Sequence, residues 1–320
     1  MIIPRRLFLT LVGAAAFGTP ARAADKIAAG TLGGQAPLWP FYIASRKGFF
    51  AAQNLDVDIN FAQSGAAVTQ QLTAGSIEIA LSVGINDPIH AIDKGAPVAI
   101  VRIIGNAAPY VLIGKKGLKT IADLKGKTVS IGSTKDMTTI YFERMAAMSG
   151  LKRGDYDVVS AGVAAARYAA LKAGVVDAAL VLPPLNFQAE KAGYVSIAFA
   201  PDYVKDLPFT GMAVFKPWAA QHGDLVKRML AVTDASIAWL ADPAHRDEAV
   251  DLLVKAGRAD PEDSAASYDL LRRSGYFELT SKVSRAKLQN LIAEERRAGN
   301  IGEALTVDRL VMPGITELTD

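Results

Sequence analysis

Leu72-Thr73-Ala74-Gly75-Ser76-Ile77-Glu78-Ile79-Ala80-Leu81 and Leu171-Lys172-Ala173-Gly174-Val175-Val176-Asp177-Ala178-Ala179-Leu180 follow one pattern at an offset of 99 residues. Each reads as a helix end, a glycine stop able to take positive φ, and a strand with one acid near its start. The offset far exceeds solenoid periods of roughly 20–50 residues. Two lobes built on one plan account for it. Around the first copy, residues 26–32 predict a strand, 38–47 a helix stopped by Gly48, and 56–61 a strand. In the last, Val57, Ile59 and Phe61 alternate with Asp56, Asp58 and Asn60. Residues 98–104, 110–113 and 128–131 predict further strands, so short apolar runs alternate with helices as in an α/β protein with mostly parallel sheets. Beyond about residue 217 the texture is helical. Asp242-Pro243 and Asp260-Pro261 pair an N-cap with a first-turn proline, and in residues 284–298 Leu288, Leu291 and Ile292 share one face. Glu294-Glu295-Arg296-Arg297 reads as a solvated surface.

The 320 residues are 51% apolar and 21% charged, which suits two domains of ordinary size and excludes a disordered chain. There is no cysteine, so disulfides, thiolate metal sites and thiol catalysis are excluded. His90, His222 and His245 are too scattered to pair as metal ligands, and no metal or cofactor is expected. Residues 1–23 read as an export signal: Arg5-Arg6, an apolar run over 7–17, then Ala21-Arg22-Ala23 for cleavage near Ala23. The run is too short to span a membrane. Pro4-Arg5-Arg6-Leu7-Phe8-Leu9-Thr10 resembles a twin-arginine signal but departs from it at Pro4 and Thr10, which leaves the general secretion route open. Without these residues 32 basic groups balance 32 acidic ones, and no basic stripe suggests nucleic acid.

Gly126-Lys127-Thr128 ends like a phosphate-binding loop, but Ile121 stands where that loop needs glycine. There is no nucleophile elbow and no dinucleotide fingerprint. Asp87 and Asp136 stand where helix caps are expected. What recurs is a loop of small polar residues between strand and helix: Gly33-Gly34-Gln35, Gln63 to Ala67, Ser82 to Asp87, and Gly132 to Thr139. In an open α/β sheet such loops lie at the carboxyl ends of strands, where ligands bind, and free amides at a helix start favour an anion. Arg102, inside an apolar strand, would pair either a ligand anion or a carboxylate at the lobe edge.

Several strings together resemble the periplasmic substrate-binding proteins of ABC transporters, in the nitrate/sulfonate/taurine (NMT1/THI5-like) branch. They are Tyr42-Ile43-Ala44, Lys47-Gly48-Phe49-Phe50, Leu55-Asp56-Val57, Ala74 to Ala80, Ile121 to Val129, and Val176-Asp177-Ala178-Ala179. The resemblance covers about residues 26–216. It implies a two-lobed periplasmic binding protein of type II with a hinge between the lobes. On this reading residues 24–114 and 208–320 form lobe 1, with the C-terminal helices packed on it, and 115–207 form lobe 2. The crossings would fall near 114–127 and 203–211. The implied binding positions are Gly34, Gln35, Ser64, Gly65, Gly84, Asn86, Ser133, Thr138, Thr139 and Leu182. Trp39 or Phe209 would either cover an apolar ligand body or lie in the core. The implied role is a monomeric, non-catalytic, periplasmic solute binder working with a permease and its ATPase on a small, anionic organic molecule such as a sulfonate, a carboxylate or an aromatic acid. The alternative is a binder of thiamine-pyrimidine precursors, or an enzyme on the same fold.

Overall fold

The computed structural model describes residues 23–33, 36–257 and 260–320; the export signal with Arg5 and Arg6, and the loop positions Gly34 and Gln35, lie outside them. Ten strands form two sheets. The first holds β1 (Asp25–Leu32), β2 (Leu55–Ala62), β3 (Ile79–Gly84) and β4 (Val98–Gly105). The second holds β5 (Val111–Gly114), β6 (Thr128–Ile131), β7 (Asp157–Ser160), β8 (Ala178–Val181) and β9 (Val195–Phe199), after which β10 (Thr210–Phe215) returns to the first. The orders are β2-β1-β3-β10-β4 and β7-β6-β8-β5-β9. Each sheet begins with parallel pairs and takes one reversed strand: β10 runs antiparallel to β3 and β4, β5 antiparallel to β8 and β9.

The 99-residue echo has a physical counterpart. Glu78, just before β3, accepts the Ala28 amide at Oε2 (2.5 Å) and donates its own amide to the Ala28 carbonyl. Asp177, just before β8, accepts the Thr128 amide (3.1 Å) and donates to the Thr128 carbonyl. The acid therefore closes the ladder between β1 and β3 in the first sheet and between β6 and β8 in the second. Backbone carboxylate bonds hold Asp177 below the usual carboxylate range. Gly75 and Gly174, at φ of 69° and 75°, end the preceding helices in the left-handed region.

The strand 111–114, assigned to lobe 1 by its position in the sequence, is a member of the second sheet; the chain crosses over residues 106–110, before β5 and not after it. A short apolar strand carries no mark of which sheet will pair with it. The return crossing runs over residues 200–209, between β9 and β10. Helices Gly223–Ala241 and Arg246–Gly257 pack against helix Trp39–Arg46 beside the first sheet. Asp242 and Asp260 accept the amides of Ala244 and Asp263, as capping residues should. Helix Arg285–Arg297 buries Leu288, Leu291 and Ile292, but its face is not wholly solvated: Glu295 is fully buried, with Oε2 2.8 Å from His90 Nε2 and 2.7 Å from Asn300 Nδ2. Arg102 is also fully buried, and its partners are Asp234 and the Glu278 carbonyl (2.9 Å), which settles it as a lobe-edge ion pair.

Candidate functional site

The loops at the carboxyl ends of both sheets converge on one cavity of about 340 Å3. From the first lobe it receives Ser64 and Gly65 at the start of helix Gly65–Thr73, then Ser82, Gly84, Asn86 and Asp87 where β3 passes into helix Asn86–Asp93. The second lobe contributes Gly132, Ser133, Asp136, Met137 and Leu182, together with Gly162, Val163, Ala164 and Arg167. Tyr110 and Phe209, one from each crossing, meet edge to face at 5.2 Å and form an aromatic wall.

Ser64, Gly65, Gly84, Asn86, Ser133, Leu182 and Phe209, all expected at the site, line this cavity. Three expected residues do not. Trp39 packs in the core and lines a separate hollow with Leu240, Tyr268 and Tyr276. Thr138 is buried, accepts the Gly132 amide (2.7 Å) and bonds the Asp136 carboxylate. Thr139 donates to the Ser133 carbonyl at 2.6 Å. Both hydroxyls therefore tie the turn to itself. Nor is this helix start an open anion site: Asp136 caps helix Met137–Met148 by accepting the Thr138 amide at 2.9 Å. A carboxylate already occupies the place an anion would take.

In the second lobe an open helix start lies one loop further on. Ser64 caps its own helix, with Oγ accepting the Ala67 amide at 3.2 Å. Ninety-nine residues later, the equivalent position is Val163, and no side chain caps helix Ala164–Lys172. The same offset carries buried Val68 onto buried Arg167. The guanidinium of Arg167 is locked at its root: Nε donates to the Leu180 carbonyl (2.5 Å), Nη1 donates to the Gly162 carbonyl, and the group sits 5.8 Å from the Tyr110 ring centroid. Burial lowers its proton affinity, opposed by Tyr110 and Asp136. Arg167 was the residue the sequence reading missed. It sits in an alanine-rich helix, where a lone arginine looks like a solvated face.

Asp136 conforms to its expected role as a cap. Asp87 does not. The helix begins at Asn86, so Asp87 falls inside the first turn, next to Pro88, which has no amide to cap. No side-chain bond or ion pair involves its carboxyl among the described residues. Burial pushes that carboxyl up to about 7, with Asp136 and Glu295 acting in the same direction and His90 against them. Asp136 is also raised, again chiefly by burial. Among the described residues no group of three or more His, Cys, Asp or Glu could hold a metal ion.

The cavity is thus an inter-lobe chamber with an arginine, helix starts at Asn86 and Ala164 that no side chain caps, two carboxyls of raised proton affinity and an aromatic wall. The sequence model of a family described as NMT1/THI5 like matches residues 35–246. A putative binding protein of Brucella abortus (strain 2308) is 27% identical over 265 residues, covering 80% of each chain. The riboflavin-binding protein RibY of Chloroflexus aurantiacus is 26% identical over 221 residues, 67% of this chain and 61% of that one. The solved structure of the alkanesulfonate-binding protein SsuA from Xanthomonas axonopodis pv. citri, bound to MOPS, superposes with a TM-score of 0.76 at 18% identity, covering 91% of this chain and 99% of that one. This likeness fixes the fold as the two-lobed one of periplasmic binding proteins.

Proposed function

The chain belongs to the NMT1/THI5-like family, and we propose that it is the solute-binding component of an ABC importer, capturing a small organic molecule with an anionic end and delivering it to a permease. The observation that carries this is Arg167. Arg167 is buried and lines the cavity with Nε and Nη1 held by two carbonyls, which leaves Nη2 for an acceptor on the ligand, and the uncapped start of helix Ala164–Lys172 lines the same cavity. The aromatic wall of Tyr110 and Phe209 suits an apolar or aromatic ligand body. The ligand would touch both lobes and hold them closed, in the manner the handling of solutes by two-lobed proteins requires.

In this reading the protein is exported and works in the periplasm. Among the described residues no helix is long and apolar enough to cross a membrane. In this reading it binds its solute and turns nothing over. Lobe 1 comprises the first sheet with the C-terminal helices, and lobe 2 the second sheet. The test is calorimetry and thermal shift on the purified protein with a panel of sulfonates, carboxylates and aromatic acids. A binder is expected from the panel, returned unchanged after prolonged incubation, with affinity falling at least tenfold in Arg167→Gln and less in Arg167→Lys. A chemical product, or undiminished anion binding in Arg167→Gln, would overturn the reading.

A further inference from the structure

Asp87 is a carboxyl with no partner among the described residues, facing the same chamber as the arginine. Three features hold it there. It sits in the first turn of a helix whose N-cap, Ile85, is pinned by its amide to the Phe209 carbonyl at 3.0 Å. Its Oδ2 rests against Gly65 so closely that a Cβ on that residue would overlap it, and a Cβ on Gly84 would stand 3.6 Å away. Asn86 beside it is anchored to the opposite lobe through Lys135. The carboxyl is half-buried in this slot and faces the chamber, where a polar group without a protein partner is free to bond a ligand. Asp136, by contrast, already holds the Thr138 amide and hydroxyl.

We infer that Asp87 is a specificity-determining residue that accepts a hydrogen bond from an N–H group of the ligand, so that the cognate solute carries a donor on the side of its body away from the anionic end held at Arg167. This rests on the reading of the cleft as an anion-binding chamber. Arg167 belongs to the second lobe and Asp87 to the first, so a ligand with both groups ties the lobes together at two polar points. A simple anion would engage one lobe and leave the carboxyl unpaired. Sites built around a buried polar group reject analogues that lack its partner much more strongly than apolar pockets reject a change of size.

Two matched pairs of probes separate the possibilities: benzoate against 3-aminobenzoate, and benzenesulfonate against 3-aminobenzenesulfonate. Titration calorimetry is run on the purified wild-type protein, Asp87→Ala and Asp87→Leu, with the melting temperature of each variant as a check on folding. The expected result is that the amino member of a pair binds wild-type protein at least tenfold more tightly. That preference should shrink to under threefold in Asp87→Ala, or in Asp87→Leu should the alanine variant fail to fold. Equal binding of the two members to wild type would overturn the inference and leave the anion site standing. So would a preference that survives in both variants. Failure of all four probes to bind would instead bring down the reading of the cleft, and this inference with it.

Discussion

Asn86 of the first lobe donates its side-chain amide to the main-chain carbonyl of Lys135 in the second, 2.9 Å across the mouth of the chamber. Asn86 is 1% exposed and Lys135 is exposed, so the bond joins the buried interior of one lobe to the surface of the other. The protein therefore contributes its own clasp to closure, and a ligand need supply only the remainder.

Removing the clasp tests how much it holds. A bond of this kind contributes about 0.5–1.5 kcal/mol net, or roughly a two- to tenfold shift in the ratio of closed to open forms. Asn86→Ala is expected to enlarge the radius of gyration of the ligand-free protein in small-angle scattering and to weaken ligand binding by less than that factor, as the closed fraction falls. An unchanged radius would show that other contacts keep the lobes together.

Asp87 makes stability depend on pH. Burial raises its carboxyl from 3.8 to about 7, so the folded protein keeps a proton that the unfolded chain releases. That contribution is complete below about pH 4, is lost as the pH rises towards 7, and changes no further above it. At about 1.36 kcal/mol per unit the loss amounts to at most roughly 4 kcal/mol. Denaturant unfolding between pH 5 and 8 should show wild-type stability falling with pH and a flatter profile in Asp87→Asn. Parallel profiles would contradict the raised proton affinity.

Gly65→Ala probes the slot itself. Residue 65 opens a helix, where alanine is favoured over glycine, so propensity alone predicts a gain. The new methyl group would instead collide with Asp87 Oδ2. We expect a loss of about 1–3 kcal/mol in thermal unfolding, typical of overpacking. The double variant Gly65→Ala/Asp87→Ala should recover most of it, because the collision needs both partners.

Thr138→Ala should separate stability from binding. Its hydroxyl serves the Gly132 amide and the Asp136 carboxylate inside the turn. Leaving a buried amide unpaired costs about 1–3 kcal/mol, so the melting temperature should drop while affinity for an anionic probe changes less than threefold. A large loss of affinity with normal stability would put the threonine back in contact with ligand.

The plan of the fold was legible because it is written twice. Glu78 and Asp177 occupy matching positions in sequence and close matching ladders in space. Glycine stops and capping aspartates were legible for the same kind of reason, since their chemistry is local. What depends on distant partners was not. β5 gives no local sign that β8 and β9 are its neighbours, and Glu295 in a charged run gives none that His90 will cover it. At the site, an aspartate at a helix start looks the same whether it caps or not; Asp136 and Asp87 differ only in where the first turn begins. Arg167 was within reach of the sequence through the repeat, which sets it against Val68, a fully buried apolar side chain. A charge in place of such a residue needs a partner or a function.

The reversed strand in each sheet gives the two lobes different histories. The second sheet is complete within one unbroken run, residues 111–199, whereas β3 and β4 of the first must wait for β10, which is made only after that whole run. A chain emerging from its N-terminus thus carries a half-built first lobe, with a gap in the middle of its sheet, while the second lobe already has all its strands. Pulse-labelled hydrogen exchange during refolding should find amides of β6 and β8 protected before those of β4, the reverse of their order in the chain. Until that gap is filled, the unpaired edges of β3 and β4 are open to pairing with another chain, and the time taken to reach Thr210 sets how long that exposure lasts.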